Sequence, residues 1–118
     1  TRLGRPRALV LCPSRELALQ IRQQVKTLAH HAKVSSVCVT SGVPRAKQLP
    51  ALQGRVDVLV ATPGRLLRYL KQGDVLTSDV RYVVIDEADT MMVDFGPELK
   101  GILGPIEKAM KNKIQQKM

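Results

Sequence analysis

Short runs of β-branched and leucine residues alternate with longer amphipathic stretches along the whole chain, and this alternation restricts the fold more than any other feature. Strands that are joined through helices run parallel, because a parallel pair needs a long crossover whereas an antiparallel pair closes with a short turn. Residues 7–12, Arg-Ala-Leu-Val-Leu-Cys, read as a buried strand that Pro13 stops. From Ser14 onward Leu17, Ile21, Val25, Leu28 and Ala32 share one face at helical spacing, with Arg22, Gln23 and Lys26 turned outward. Ser36 to Thr40 reads as a second strand, broken at Gly42, and residues 45–53 as a short helix bent or interrupted near Pro50. A third strand, Asp57 to Ala61, runs into Thr62-Pro63-Gly64-Arg65 and a helix ended by Gly73. Arg81 to Ile85 is a fourth strand that delivers Asp86 at its C-terminal end. After a loop containing Phe95 and Gly96, Pro97 opens a helix with Leu99, Ile102, Leu103, Ile106 and Met110 on one face. The expected fold is α/β, a parallel sheet with flanking helices, in one domain over residues 1–118.

The charge is unevenly distributed. Residues 1–56 hold ten Lys or Arg and one carboxylate, Glu16, while residues 57–118 hold nine of each sign, so the whole net charge of +9 lies in the first half. Such a half either faces a polyanion or is a solvated basic surface. Aromatic residues are only Tyr69, Tyr82 and Phe95, too few for a base-stacking platform, so contact with nucleic acid is expected through sugar and phosphate. Cys12 and Cys38 stand in apolar runs without metal-like spacing and read as buried thiols of a reducing, intracellular compartment. No apolar run approaches a membrane span, and no membrane partner is expected.

In parallel α/β sheets the functional groups gather beyond the C-terminal strand ends, which singles out the segments 13–16, 62–65 and 86–89. Ser14 and Thr62 each precede a helix as N-caps with a hydroxyl for the backbone donors, and Pro63 suits the first helical position. Helix starts offer free N–H groups to a phosphate, Arg15 and Arg65 add guanidinium forks, and Gly64 permits close backbone approach. In isolation, ordinary helix capping is the better explanation of Thr62-Pro63; two such helix starts on one rim of a basic half-domain shift the balance toward a backbone-tracking groove. Asp86-Glu87-Ala88-Asp89 brings three carboxylates to one strand end, a concentration of charge that calls for a cation. Mg²⁺ on a phosphate ester is a natural answer, with one carboxylate placing the metal and a neighbour orienting the attacking water. By average usage this four-residue string arises by chance in on the order of one chain in several hundred of this length.

Val83-Val84-Ile85-Asp86-Glu87-Ala88-Asp89 resembles the Walker-B-type motif of the DEAD-box ATP-dependent RNA helicases. Three further blocks agree in order and spacing. Pro13-Ser14-Arg15-Glu16-Leu17-Ala18 is similar to the family's PTRELA block, with serine for threonine. Ser41-Gly42 falls where the family has a Gly-Gly pair, with Val43 in place of the second glycine, and Thr62-Pro63-Gly64-Arg65 matches the TPGR block unchanged. The resemblance implies a RecA-like fold of the P-loop NTPase type, with ATP and Mg²⁺ as cofactors. It assigns Asp86 to Mg²⁺ through water, Glu87 to the hydrolytic water, and Asp89 to coupling with the second RecA-like domain. It assigns Pro13, Ser14, Arg15, Glu16, Gly42, Thr62, Pro63, Gly64 and Arg65 to RNA, held by its backbone. In the implied mechanism two RecA-like domains close on ATP and RNA and bend one strand, so that a short duplex loses pairs.

Against the family pattern, these residues contain no GxxxxGK[ST] phosphate loop, adenine-reading glutamine motif or SAT block. Together with a start at Thr1 rather than Met, this leads us to expect an incomplete first RecA-like domain, inactive by itself, with its fourth strand open at the edge. The blocks 86–91 and 95–98, with His30-His31-Ala32, are similar to plant organellar members linked to ribosomal RNA maturation, which makes plastid or mitochondrion compatible compartments. Two other readings remain open at this stage: a basic RNA-associated protein whose acidic motif is inert, and a different α/β phosphohydrolase using Asp86 and Asp89.

Overall fold

The four expected strands are joined by helices in a computed structural model that describes residues 3–117, with side chains described for residues 3–111, and a fifth helix not expected from the sequence follows the last strand. The strands are β1 (Ala8–Leu11), β2 (Ser36–Val39), β3 (Val58–Ala61) and β4 (Tyr82–Ile85). Between and after them run α1 (Arg15–Leu28), α2 (Arg45–Gln53), α3 (Pro63–Gln72), α4 (Ala88–Asp94) and α5 (Gly96–Lys117). All pairings are parallel, in the order β2-β3-β1-β4, with Leu11 level with both Ala61 and Ile85. None of the helices among the described residues is long and apolar enough to cross a membrane.

Alternation along each strand divides the sheet into two unequal faces. Leu9, Leu11, Val37, Val39, Leu59 and Ala61 point to one face, where Leu52, Leu66, Tyr69, Met91, Leu99, Ile102 and Ile106 cover them from the helices and form the main core. Each fully buried Leu or Ile there contributes about 1.5–3 kcal/mol from burial. Among the described residues the opposite face is covered by α1 alone, through Leu17, Ala18 and Ile21 against Val10, Cys38, Val58 and Val60. That cover stops short of β4, and Tyr82 and Val84 are left exposed.

In the helices flanking the sheet the structure departs from the sequence reading at the end of α1 and after β4. The first helix ends at Leu28, which is 87% exposed, and Ala32 lies beyond it in a turn; Ala18 rather than Leu28 packs into the interior. The expected loop before Pro97 shrinks to the single residue Phe95, which at φ −129° and ψ 25° caps one helix and leads into the next; Ala88–Asp94 is itself helical, and the backbone N–H groups of Met91, Phe95 and Leu99 donate to Glu87, Met91 and Phe95 at 2.9–3.0 Å. Pro50 is accommodated inside α2, and Gly73 ends α3 in the left-handed conformation.

Candidate functional site

Parallel strands in matched register bring residues 12, 62 and 86 to one edge of the sheet, and the backbone links them there. Asp86 N–H donates to the Leu11 carbonyl at 2.8 Å, Cys12 N–H to Ala61 at 3.1 Å, and Thr62 N–H to Val39 at 3.2 Å. The acidic and basic segments thus share one rim. With ~4.8 Å between neighbouring strands, two strand spacings separate the Asp86 end from the Thr62 end, about 10 Å.

At the basic end, Pro13, Arg15, Ser41, Thr62, Gly64, Arg65, Arg68 and Phe95 line a cleft of about 350 Å³. Ser14 caps α1 as expected, its hydroxyl accepting from Leu17 N–H at 3.3 Å. Thr62 occupies the cap position of α3 but makes no side-chain capping bond, so the expected hydroxyl cap is absent there. Pro63 is at the first turn and buried. A Cβ on Gly64 would meet nothing within 4 Å, so the space before that backbone is open to a ligand. Gly42 has φ +88°, a conformation that favours glycine, and a Cβ there would lie 3.2 Å from Arg15 Nη1. Gly42 therefore adjoins the cleft through Arg15, whereas Ser14, Glu16 and Pro63 do not line it. Arg68 and Phe95 do not stand out as binding residues in the sequence, and Ser41 enters it only as the neighbour of Gly42 in a family block. Arg68 was findable, since it follows Arg65 by three residues on one helix; Phe95 reaches the cleft only through tertiary packing.

At the acidic end, Asp86 is half-buried and Glu87 and Asp89 are exposed. Glu87 has φ 51° and ψ 55°, alone among non-glycine residues in the left-handed region within the described chain. It is the residue that turns β4 into α4, with Asp89 in the first helical turn. Holding a non-glycine residue there costs on the order of 1–3 kcal/mol, and such strain concentrates at functional positions. The charges reach Cys12, whose thiol is pushed up to about 11 by burial first, then by Cys38, Asp86 and Glu87. At Cys38 burial again raises the thiol pKa, while Arg22 and Arg15 pull it down. The rim is electrically polar, negative at the end of β4 and positive beyond β1 and β3, where Arg15, Arg65 and Arg68 stand. Among the described residues no three His, Cys, Asp or Glu side chains converge on a common metal position. The acidic donor set fits Mg²⁺, which keeps several waters and takes its remaining oxygens from phosphates.

The DEAD/DEAH box helicase family model matches residues 1–118. The chain belongs to that family. It is 40% identical over 117 residues to the DEAD-box ATP-dependent RNA helicase 39 of Arabidopsis thaliana, covering 98% of this chain and 19% of that protein. To the ATP-dependent RNA helicase DBP2 of Gibberella zeae it is 41% identical over 102 residues, covering 86% and 18%. The crystal structure of the yeast DEAD-box splicing factor Prp28 superimposes with a TM-score of 0.82 at 29% identity, covering 88% of this chain and 24% of that one. The sheet is therefore RecA-like, and the chain spans about a fifth of the length of the curated relatives it matches.

Proposed function

We propose that the complete protein is an RNA-dependent ATPase that opens short RNA duplexes, and that this chain supplies the hydrolytic carboxylates and part of the RNA track. The observation that carries the reading is the single rim bearing both Asp86-Glu87 and the arginine-lined cleft. Asp86 would hold Mg²⁺ through water, and the ion when bound supplies neutralisation of the phosphate charge. Glu87 orients the attacking water and accepts its proton. Arg15 and Arg65 donate to phosphate oxygens, and the open backbone at Gly64 lets the ribose-phosphate chain come close. Asp89, in the first turn of α4, is suited to relay the state of the nucleotide to the second RecA-like domain. Few bases can stack here, so the grip is on the backbone and largely indifferent to sequence. The 118 residues alone should neither hydrolyse ATP nor unwind RNA, because they carry no phosphate cradle.

Arg15→Ala and Arg65→Ala in the complete protein test the cleft. Each should weaken single-stranded RNA binding, and each should make log K against log salt shallower by about 0.7, the change expected when one phosphate is no longer neutralised. Unchanged affinity and salt slope in both variants would remove RNA from this cleft. Gly64→Ala separates binding from folding by sign. Nothing in the protein obstructs the added methyl, so helix propensity gains up to ~1 kcal/mol in thermal stability. RNA affinity should fall on the order of tenfold, or ~1.4 kcal/mol, because the methyl occupies the approach to the backbone. A stabilised variant that binds RNA normally would count against the proposed path.

A further inference from the structure

Arg65 is held from behind by a buried chain of hydrogen bonds. Its Nη1 donates to the Tyr69 hydroxyl at 3.4 Å, and its guanidinium carbon lies 5.8 Å from the centre of the Tyr69 ring. The Tyr69 hydroxyl donates to Gln48 Oε1 in a short bond, and Gln48 Nε2 donates to the Thr40 carbonyl at 3.1 Å. Tyr69 is fully buried, and Gln48 and Thr40 nearly so. Every proton in the chain has a fixed direction. A guanidinium only donates and a carbonyl only accepts, so the hydroxyl must give its proton to Oε1 and the amide must turn its NH₂ toward Thr40. Bonds that all point one way in a dry setting polarise one another.

One end of this chain lines the cleft and the other stops one residue short of it. One is Arg65 on α3; the other is Thr40, the residue before the Ser41-Gly42 turn, which lies against Arg15. Gln48 on α2 stands between them and bonds to neither Arg65 nor the turn itself. Satisfying a buried tyrosine and a buried amide would not by itself require the chain to begin on a cleft arginine and finish beside a cleft turn.

We propose that Tyr69 and Gln48 are positioning residues for RNA: they fix the Arg65 guanidinium and the Ser41-Gly42 turn relative to each other, so that α3 and the β2 exit grip one ribose-phosphate strand as a unit. This rests on the RNA reading of the cleft given above. The test is a double-mutant cycle in the complete protein, reading the Kd of a fluorescein-labelled uridine decamer by anisotropy and the thermal midpoint of each variant. Tyr69→Phe keeps the buried ring and removes only the hydroxyl. It should raise Kd roughly fivefold, the equivalent of one ordinary hydrogen bond. In an Arg65→Ala background the same change should move Kd by less than about twofold, since the group it positions is gone. Gln48→Leu should weaken RNA binding at least as much as Tyr69→Phe; if it unfolds the protein, the tyrosine cycle still decides. An unaltered Kd for Tyr69→Phe would overturn the proposal, as would an equal loss with and without Arg65, which marks a purely structural role. If Arg65→Ala itself leaves Kd unchanged, the RNA reading of the cleft fails first and takes the relay with it.

Discussion

Glu87→Gln in the complete protein is expected to cut RNA-stimulated ATP turnover by about 10²–10⁴-fold, the usual worth of a positioned general base, while leaving RNA affinity nearly intact. Two features make this substitution a test of chemistry rather than of folding. Gln is isosteric with Glu, and both are non-glycine residues, so the cost of the left-handed turn at φ 51° stays the same. That turn is fastened by the Met91 N–H donating to the Glu87 carbonyl at 3.0 Å, with the Met91 side chain fully buried, and neither depends on the carboxylate. RNA affinity should persist because the arginine cleft lies toward β3 and β2, away from the acidic end of the rim. Phosphate release at saturating RNA and equilibrium RNA binding check the two halves separately. Turnover retained within a few-fold would mean that another group activates the water. Joint loss of turnover and binding would point to a folding defect.

The features legible in the sequence were those with local or strictly periodic causes. Each strand is placed to within a residue or two because a buried parallel strand is a short apolar run, and the strand ends name the rim. The Ser14 cap was equally visible, since a hydroxyl three residues ahead of its donor is a local pattern. Helix α4 was not legible, because seven residues are too few for helical periodicity to declare itself; the break expected around Phe95 and Gly96 is present but is only Phe95 wide, with Gly96 and Pro97 already inside α5. The apolar stripe from Leu17 to Ala32 overran the packed helix, since Leu28 is the exposed last residue of α1 and Ala32 lies beyond it. Thr62 shows a third limit, since capping preference says nothing of where a hydroxyl turns once a proline holds the first helical position. Gln48 could not be recognised at all. Its bonds to Thr40 and Tyr69 join positions 8 and 21 residues away, and only the packing of α2 and α3 on the sheet creates them.

The 118-residue chain on its own is expected to self-associate through β4, the last strand of its sheet among the described residues. An edge strand offers unpaired N–H and C=O groups to another chain. Here the edge also carries an uncovered apolar face, with Tyr82 69% and Val84 55% exposed on the side that α1 does not reach. Parallel sheets ordinarily have helices on both faces, and here one side of β4 has none among the described residues. Val84→Lys combined with Tyr82→Lys should shift the isolated chain from oligomer toward monomer in light scattering over a concentration series. Folding stability should change by no more than about 0.5 kcal/mol, as for other exposed positions. In the complete protein the same pair should act with the opposite sign: if the remainder of the domain covers β4, two unpaired ammonium groups become buried, and stability falls by several kcal/mol. A wild-type chain that stays monomeric at high concentration would refute the first half. A complete protein indifferent to both lysines would refute the second, because the face would then be solvent-exposed in the whole molecule as well.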